Sequence, residues 1–295
     1  GYALLHIPSY RRIIARSPIH QVATIHDCAP FRLRDKYDRW RGLFGRQLVP
    51  PLARRCARVI AVSEFTAGDL RAFMGIALER LRVVLNGIDH TRYRPATDAA
   101  IAAFCQRQGL SAPFFLYLAR LEHPGKNHLR LIEAFETFRR ADSDRTHQLV
   151  LAGADWHGAD VIRERVAASP FADQIHLPGF VAEADVPLWY AAADALVFPS
   201  LIEGFGLPVV EAMACGTLVA CADAASLPEV GGNAALYFDA TDSAALAESL
   251  ATAVESSASE REARLRAGFA QAARFNWDTA AAQTAAVYAE LIRRP

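Results

Sequence analysis

The chain has 295 residues, 52% of them hydrophobic and 22% charged, and its 32 Lys and Arg balance 32 Asp and Glu. That length suits one large domain or two ordinary ones, and no apolar run approaches the ~20 residues of a membrane-spanning helix. The five cysteines (Cys28, Cys56, Cys105, Cys215, Cys221) are odd in number and scattered without metal spacing, which argues against a disulfide framework and for a reducing compartment.

Residues 4–7 and 21–26 read as strands, the second ending in His26-Asp27. A helical region is expected over about 37–57, then a strand at 58–62, a helix at 64–74 with Ser63 as its N-cap, and a strand at 81–85. Asn86-Gly87-Ile88-Asp89 has turn chemistry, and residues 91–112 read as a connection holding one short helix. Strands at 114–118, 148–152, 174–177, 195–198 and 218–221, with 235–238 at an edge, then alternate with helices at 127–139, 159–168, 186–193, 207–215 and 243–255. This alternation implies parallel sheets, with ligands at the carboxyl ends of the strands. Residues 260–292 form two amphipathic helices broken near Phe275-Asn276-Trp277-Asp278.

Between the strand ending at Phe198 and the helix from Leu207 lies a turn with Glu203, Gly204, Phe205 and Gly206, and Pro208 falls in the helix's first turn. Strand, glycine-bearing turn and helix N-terminus make an anion site, because unpaired backbone N–H groups and the positive end of the helix dipole face the ligand. Gly204, Phe205, Gly206 and Leu207 are candidate backbone donors at close approach. Glu203 and Glu211 flank the site. A carboxylate repels a phosphate, so both read as acceptors for hydroxyls, which fits a nucleotide sugar. Taken singly, each Glu is a loop residue or a solvated helix face. Arg120 and Lys126 follow the strand at 114–118 at the same sheet edge, where they balance a diphosphate and stabilise it as it leaves.

Pro-Ser-x-x-Glu-Gly-Phe-Gly-Leu-Pro-x-x-Glu-Ala-Met-Ala-x-Gly, starting at Pro199, resembles the signature of the family 4 retaining glycosyltransferases. Leu118-Ala119-Arg120-Leu121 with Gly125-Lys126-Asn127 is similar to that family's diphosphate-binding segments. The resemblance implies an α/β protein of GT-B fold, two Rossmann-like lobes facing a cleft. Residues 1–92 would be a partial acceptor-side lobe truncated at its N-terminus, 93–280 the nucleotide-sugar lobe, and 281–295 a terminal helix returning to the first. It implies that Glu203 contacts the donor hexose and Glu211 the ribose, with Gly153 and Val181 near the base. His26 would hydrogen-bond the donor sugar or pass a proton, and Asp27 would hold or deprotonate the acceptor hydroxyl. A satisfied core histidine and a turn cap are the ordinary alternatives for these two.

The implied reaction is metal-independent transfer of a hexose with retention, without a resident cofactor. His26-Asp27-Cys28-Ala29-Pro30-Phe31 and Ser63-Glu64-Phe65-Thr66 look most like bacterial mannosyl- and rhamnosyl-type enzymes of surface-polysaccharide assembly. GDP-mannose is therefore the favoured donor, a UDP-sugar the alternative, and a glycan or lipid-linked glycan the acceptor. A nucleotide-sugar epimerase on the same scaffold and a non-catalytic nucleotide-sugar-binding chain are the rival classes.

Residues 1–92 hold 16 Lys and Arg against 7 Asp and Glu, concentrated between Arg32 and Arg58. This basic stretch, 32–58, is either a solvated helix face or a surface for anionic lipid or a phosphate-bearing acceptor. No nucleic-acid motif accompanies it. The expected location is cytoplasmic, peripheral at the inner face of the cell membrane. Asp142-Ser143-Asp144 sits after a helix among arginines and reads as a polar loop rather than a metal motif. No dinucleotide fingerprint, phosphate loop or nucleophile elbow is present.

Overall fold

The computed structural model describes residues 2–14, 17–33, 39–111 and 113–292. Its contacts divide the chain into two units: Gly1–Gly87 with Ile202–Gly206 and Phe275–Pro295, and Ile88–Leu201 with Leu207–Arg274. The first boundary falls between Gly87 and Ile88, where the sequence suggested 92/93.

In the first unit, β1 (Leu4–Ile7), β2 (His20–Ile25), β3 (Arg58–Ala61) and β4 (Leu81–Val83) form a parallel sheet in that order. Alternation along the strands splits its core in two, since neighbouring side chains leave opposite faces. Ala23, Ile25, Val59 and Ala61 join Val49, Leu70 and Met74 on one face. On the other, Val22 and Ile60 meet Ala280, Val287 and Leu291 of the C-terminal helix, Trp277–Ile292.

The helical region expected over 37–57 is found over residues 39–53, in three contiguous pieces. Tyr37 and Asp38 lie outside the described residues. After the short α1 (Ala29–Arg32), the chain forms α2 (Arg39–Leu43), a π-helical turn over Phe44–Leu48, and α3 (Val49–Ala53). Pro50 and Pro51 bring no backbone N–H, so a continuous ladder cannot pass through them. α4 (Glu64–Met74) starts as expected: the Ser63 hydroxyl accepts from Thr66 N at 3.0 Å, and Gly75 at φ 64° ends it. The turn expected at Asn86 opens instead at Asp89, whose carbonyl accepts from Arg92 N and Tyr93 N at 3.1 and 2.8 Å. Gly87 serves close approach: a Cβ there would lie 2.3 Å from the Asn276 carbonyl carbon.

In the second unit, α5 (Asp98–Gln108) precedes β5 (Phe114–Leu118), α6 (His128–Ala141), β6 (Gln148–Ala152), α7 (Ala159–Ala167), β7 (Ile175–Gly179) and α8 (Val186–Ala192). There follow β8 (Ala195–Phe198), α9 (Leu207–Ala214), β9 (Leu218–Ala222), α10 (Leu227–Gly231), β10 (Leu236–Phe238), α11 (Ser243–Glu255) and α12 (Ala258–Ala272). The sheet is parallel, in the order β10-β9-β8-β5-β6-β7. Its central strands are near-continuous apolar runs buried on both faces, as helical cover requires. Strand order reverses between β5 and β8, the crevice where doubly wound sheets bind ligands. The five cysteines are free.

Candidate active site

The residues proposed from sequence fall into three groups. The first belongs to the unit built on β1–β4. Gly204 packs directly on the end of β2, where an added Cβ would lie 1.6 Å from the His26 carbonyl oxygen and 3.2 Å from Asp27 Cβ. Its own carbonyl accepts from the Ser63 and Thr66 hydroxyls at 2.7 and 3.1 Å. Thus the residues opening α4 hold the Glu203-Gly204-Phe205-Gly206 turn against His26-Asp27. Phe205 is buried edge-on to Phe275, with ring centres 5.5 Å apart. The cap at Ser63 is legible in the sequence; its second task joins distant segments and leaves no local signal.

His26 is exposed and therefore not a core histidine. Its Nε2 lies 3.1 Å from the Pro8 carbonyl, which can only accept, so Nε2 is the donor in this contact. Asp27 is in part the turn cap: its Oδ1 accepts from Ala29 N at 2.9 Å. His6 is structural, with Nε2 2.9 Å from Thr24 Oγ1 and Nδ1 2.6 Å from the Tyr288 hydroxyl.

The second group runs along consecutive carboxyl ends of the other sheet. Arg120 and Lys126 follow β5, Gly153 follows β6, and Val181 follows β7. Gly153 N donates to Gly179 O at 2.9 Å, which sets Gly153 beside the segment leading to Val181. The loops after β5 and β8 are stitched together at the switch point. Leu201 N donates to Gly125 O at 3.0 Å. The Tyr117 hydroxyl lies 2.8 Å from Lys126 O and 3.0 Å from Ser200 Oγ. Asn127, 4% exposed and in the left-handed region at φ 60°, donates from Nδ2 to Pro199 O and Ala240 O at 3.0 and 2.8 Å. Buried polar groups so satisfied hold a loop in one conformation. Lys126 Nζ sits 5.8 Å from the centre of the Phe198 ring, on the β8 side. Arg120 lies over Trp156, on the β6 side. Leu207 and Pro208 open α9 as expected.

Glu211 stands apart. Expected from sequence to flank the anion site together with Glu203, it lies half-buried on α9. Its Oε2 accepts from the fully buried Tyr190 hydroxyl at 2.8 Å, and Tyr93 hydrogen-bonds it too. Burial raises its pKa above the ordinary 4.5, against the lowering effect of Tyr190, Tyr93 and Arg92. The packing of α9 against α8, which carries Tyr190, explains this; the motif alone does not predict it.

The basic stretch is not a continuous free patch. Arg34 and Lys36 lie outside the described residues. Arg32 grips buried Asp69 with both carboxylate oxygens engaged, at 2.8 and 2.5 Å. Arg46 donates to Pro30 O, and Arg58 pairs with Glu290 at 2.8 Å. These arginines hold the fold together. On the same stretch Trp40, Leu43, Phe44 and Leu48 are exposed. Asp142 and Asp144 form a polar loop, Asp144 N donating to Asp142 Oδ1 at 2.9 Å. Among the described residues no helix is long and apolar enough to cross a membrane.

The sequence matches the family described as glycosyl transferases group 1 over residues 106–274, and glycosyltransferase family 4 over residues 1–92. O-antigen chain mannosyltransferase B of Escherichia coli is 30% identical over 268 residues, covering 90% of this chain and 69% of that protein. D-inositol 3-phosphate glycosyltransferase of Thermobispora bispora is 31% identical over 248 residues, 80% of this chain but 56% of that protein. Among solved structures, Anabaena Alr3699/HepE in complex with UDP and glucose superimposes with a TM-score of 0.82 at 23% identity, over 98% of this chain and 78% of that one.

Proposed function

Because the chain belongs to the group 1 glycosyl transferases, we propose that it moves a hexose, mannose favoured, from a nucleoside diphosphate sugar to a hydroxyl of a glycan or lipid-linked glycan. It is a hexosyltransferase by family and a GT-B protein by fold. The observation that carries the donor assignment is the pair of loops stitched together at the β5/β8 switch point, which bears Arg120 and Lys126 at the carboxyl edge of the sheet. Two cations and a helix N-terminus meet the charge that develops on a departing diphosphate. Glu203 would then take donor hydroxyls, Glu211 the ribose, Gly153 and Val181 the base, and His26 and Asp27 the sugar and acceptor hydroxyl. The mannosyl preference is supported by the E. coli relative's name, while the T. bispora relative's name points to a different acceptor chemistry.

Calorimetric titration with GDP, UDP, ADP and TDP tests this. One nucleotide is expected to bind and to be lost in an Arg120→Ala/Lys126→Ala double variant. Binding of none, or unchanged binding by the variant, removes the diphosphate site. Sugar is expected to leave the donor only when a glycan acceptor is present; acceptor-independent release of nucleotide would favour the epimerase class. For a lipid-linked acceptor the proposal includes peripheral contact with an anionic lipid surface, supported by exposed Trp40, Leu43, Phe44 and Leu48. Co-sedimentation with vesicles containing anionic lipid, compared with neutral ones, tests that contact.

A further inference from the structure

Arg120 lays its guanidinium over the Trp156 ring, 4.6 Å from the ring centre. Trp156 is 53% exposed, so burial in the core does not account for its place. The backbone sets this pairing. Leu121 N donates to Ala154 O, Trp156 N to Leu121 O, and His123 N to His157 O, each at 3.0 Å, so the segments after β5 and β6 continue as a parallel pair. Two glycines permit the approach. A Cβ at Gly153 would lie 2.0 Å from Ala119 O, and one at Gly158 would lie 2.9 Å from His123 Cβ. Adjacent Asp155 does not compete for the cation, because Arg163 holds its carboxylate at 2.7 Å. Among the described residues no carboxylate pairs with Arg120.

The chemistry of the two possible partners differs. A guanidinium presents its flat face to an aromatic ring and its N–H donors within its own plane. A carboxylate would occupy those donors. An indole restrains the side chain and leaves them available to phosphate oxygens. We propose that Trp156 is a positioning residue of the donor site, holding the Arg120 guanidinium in place with its donors directed to the diphosphate. This rests on the assignment of Arg120 to the diphosphate.

The test is calorimetric titration of GDP and UDP into wild type, Trp156→Ala, Trp156→Phe, Arg120→Ala and the Trp156→Ala/Arg120→Ala double variant. A cation–π contact at an exposed site corresponds to a factor of about two to five in binding. Trp156→Ala is expected to weaken the bound nucleotide by that factor, Trp156→Phe to recover most of it, and Trp156→Ala to add nothing once Arg120 is alanine. A merely structural role would give the same loss in both backgrounds and would overturn the proposal, as would wild-type binding by Trp156→Ala beside a weakened Arg120→Ala. Failure of the diphosphate assignment is visible separately, as wild-type binding by Arg120→Ala or as no binding of either nucleotide by the wild type; the proposal then falls with it. A readout without nucleotide completes the set. The Trp156 emission, taken as wild type minus Trp156→Phe, is expected to change in Arg120→Ala, and an unchanged emission means that ring and cation do not meet in solution.

Discussion

At Glu211 folding and the proposed contact to the ribose make opposing demands. Burial against Tyr190 raises its pKa, so the folded state holds this proton more tightly than the unfolded chain does. Its stabilising contribution is therefore present below the ordinary value of 4.5 and is lost as pH rises through the raised folded value. Glu211→Gln keeps an acceptor for Tyr190 and removes the charge. Its melting temperature at pH 7 is expected to equal or exceed that of wild type, while nucleotide affinity falls about tenfold, or about 1.4 kcal/mol. Thermal unfolding and calorimetry on one preparation check both, and a lower melting temperature would contradict the electrostatic account. Glu203→Ala and Lys126→Ala are each expected to lower kcat by on the order of 10²–10³, the effect of losing one preorganised stabilising group. Full turnover in either variant would remove that residue from the mechanism.

Among the elements, the turn following β8 is the one whose shape is most tightly specified. Gly204 has no room for a methyl group, because the obstacle at 1.6 Å is the His26 backbone carbonyl, which cannot rotate away as a side chain can. Gly204→Ala must therefore displace either the turn or the end of β2, at about 1–3 kcal/mol. Lower thermal stability together with a loss of turnover is expected, and a variant with wild-type values for both would show that the turn is loosely held. The same element shows how far local pattern reaches. An apolar run, a turn rich in glycine and Pro208 were enough to place β8, the turn and α9. They held no information on Ser63 and Thr66, which grip Gly204 from a segment far away in sequence. The helical region expected over 37–57 is present over residues 39–53 but takes a π-helical turn at Phe44–Leu48, just before Pro50 and Pro51, which cannot donate to the hydrogen-bond ladder.

Over the molecule as a whole, the first unit is assembled from three separate chain segments, and ion pairs to its last helix help to join them. Glu290 receives Arg58 from β3 and Arg82 from β4, at 2.8 Å each, and these hydrogen bonds hold its pKa down at about 2. A depressed carboxyl contributes stability above its ordinary value, and that contribution is lost as pH falls toward the folded value. The group is about one-third exposed, so solvent screening limits the effect to about 1 kcal/mol. Glu290→Gln is expected to melt several degrees below wild type at pH 7, with the gap closing as pH falls from about 4.5 toward about 2. A gap that stays constant with pH would assign the loss to packing. By itself the sequence determined the alternation of strands and helices, the parallel sheets and the family motif, because apolar periodicity and turn chemistry act over a few residues. Tertiary contacts alone set Glu211 against the Tyr190 hydroxyl, lay Arg120 over an indole, and draw Arg32 and Arg58 of the basic stretch into ion pairs. Those outcomes depend on which distant segments the strand order makes neighbours, and no local pattern carries that information.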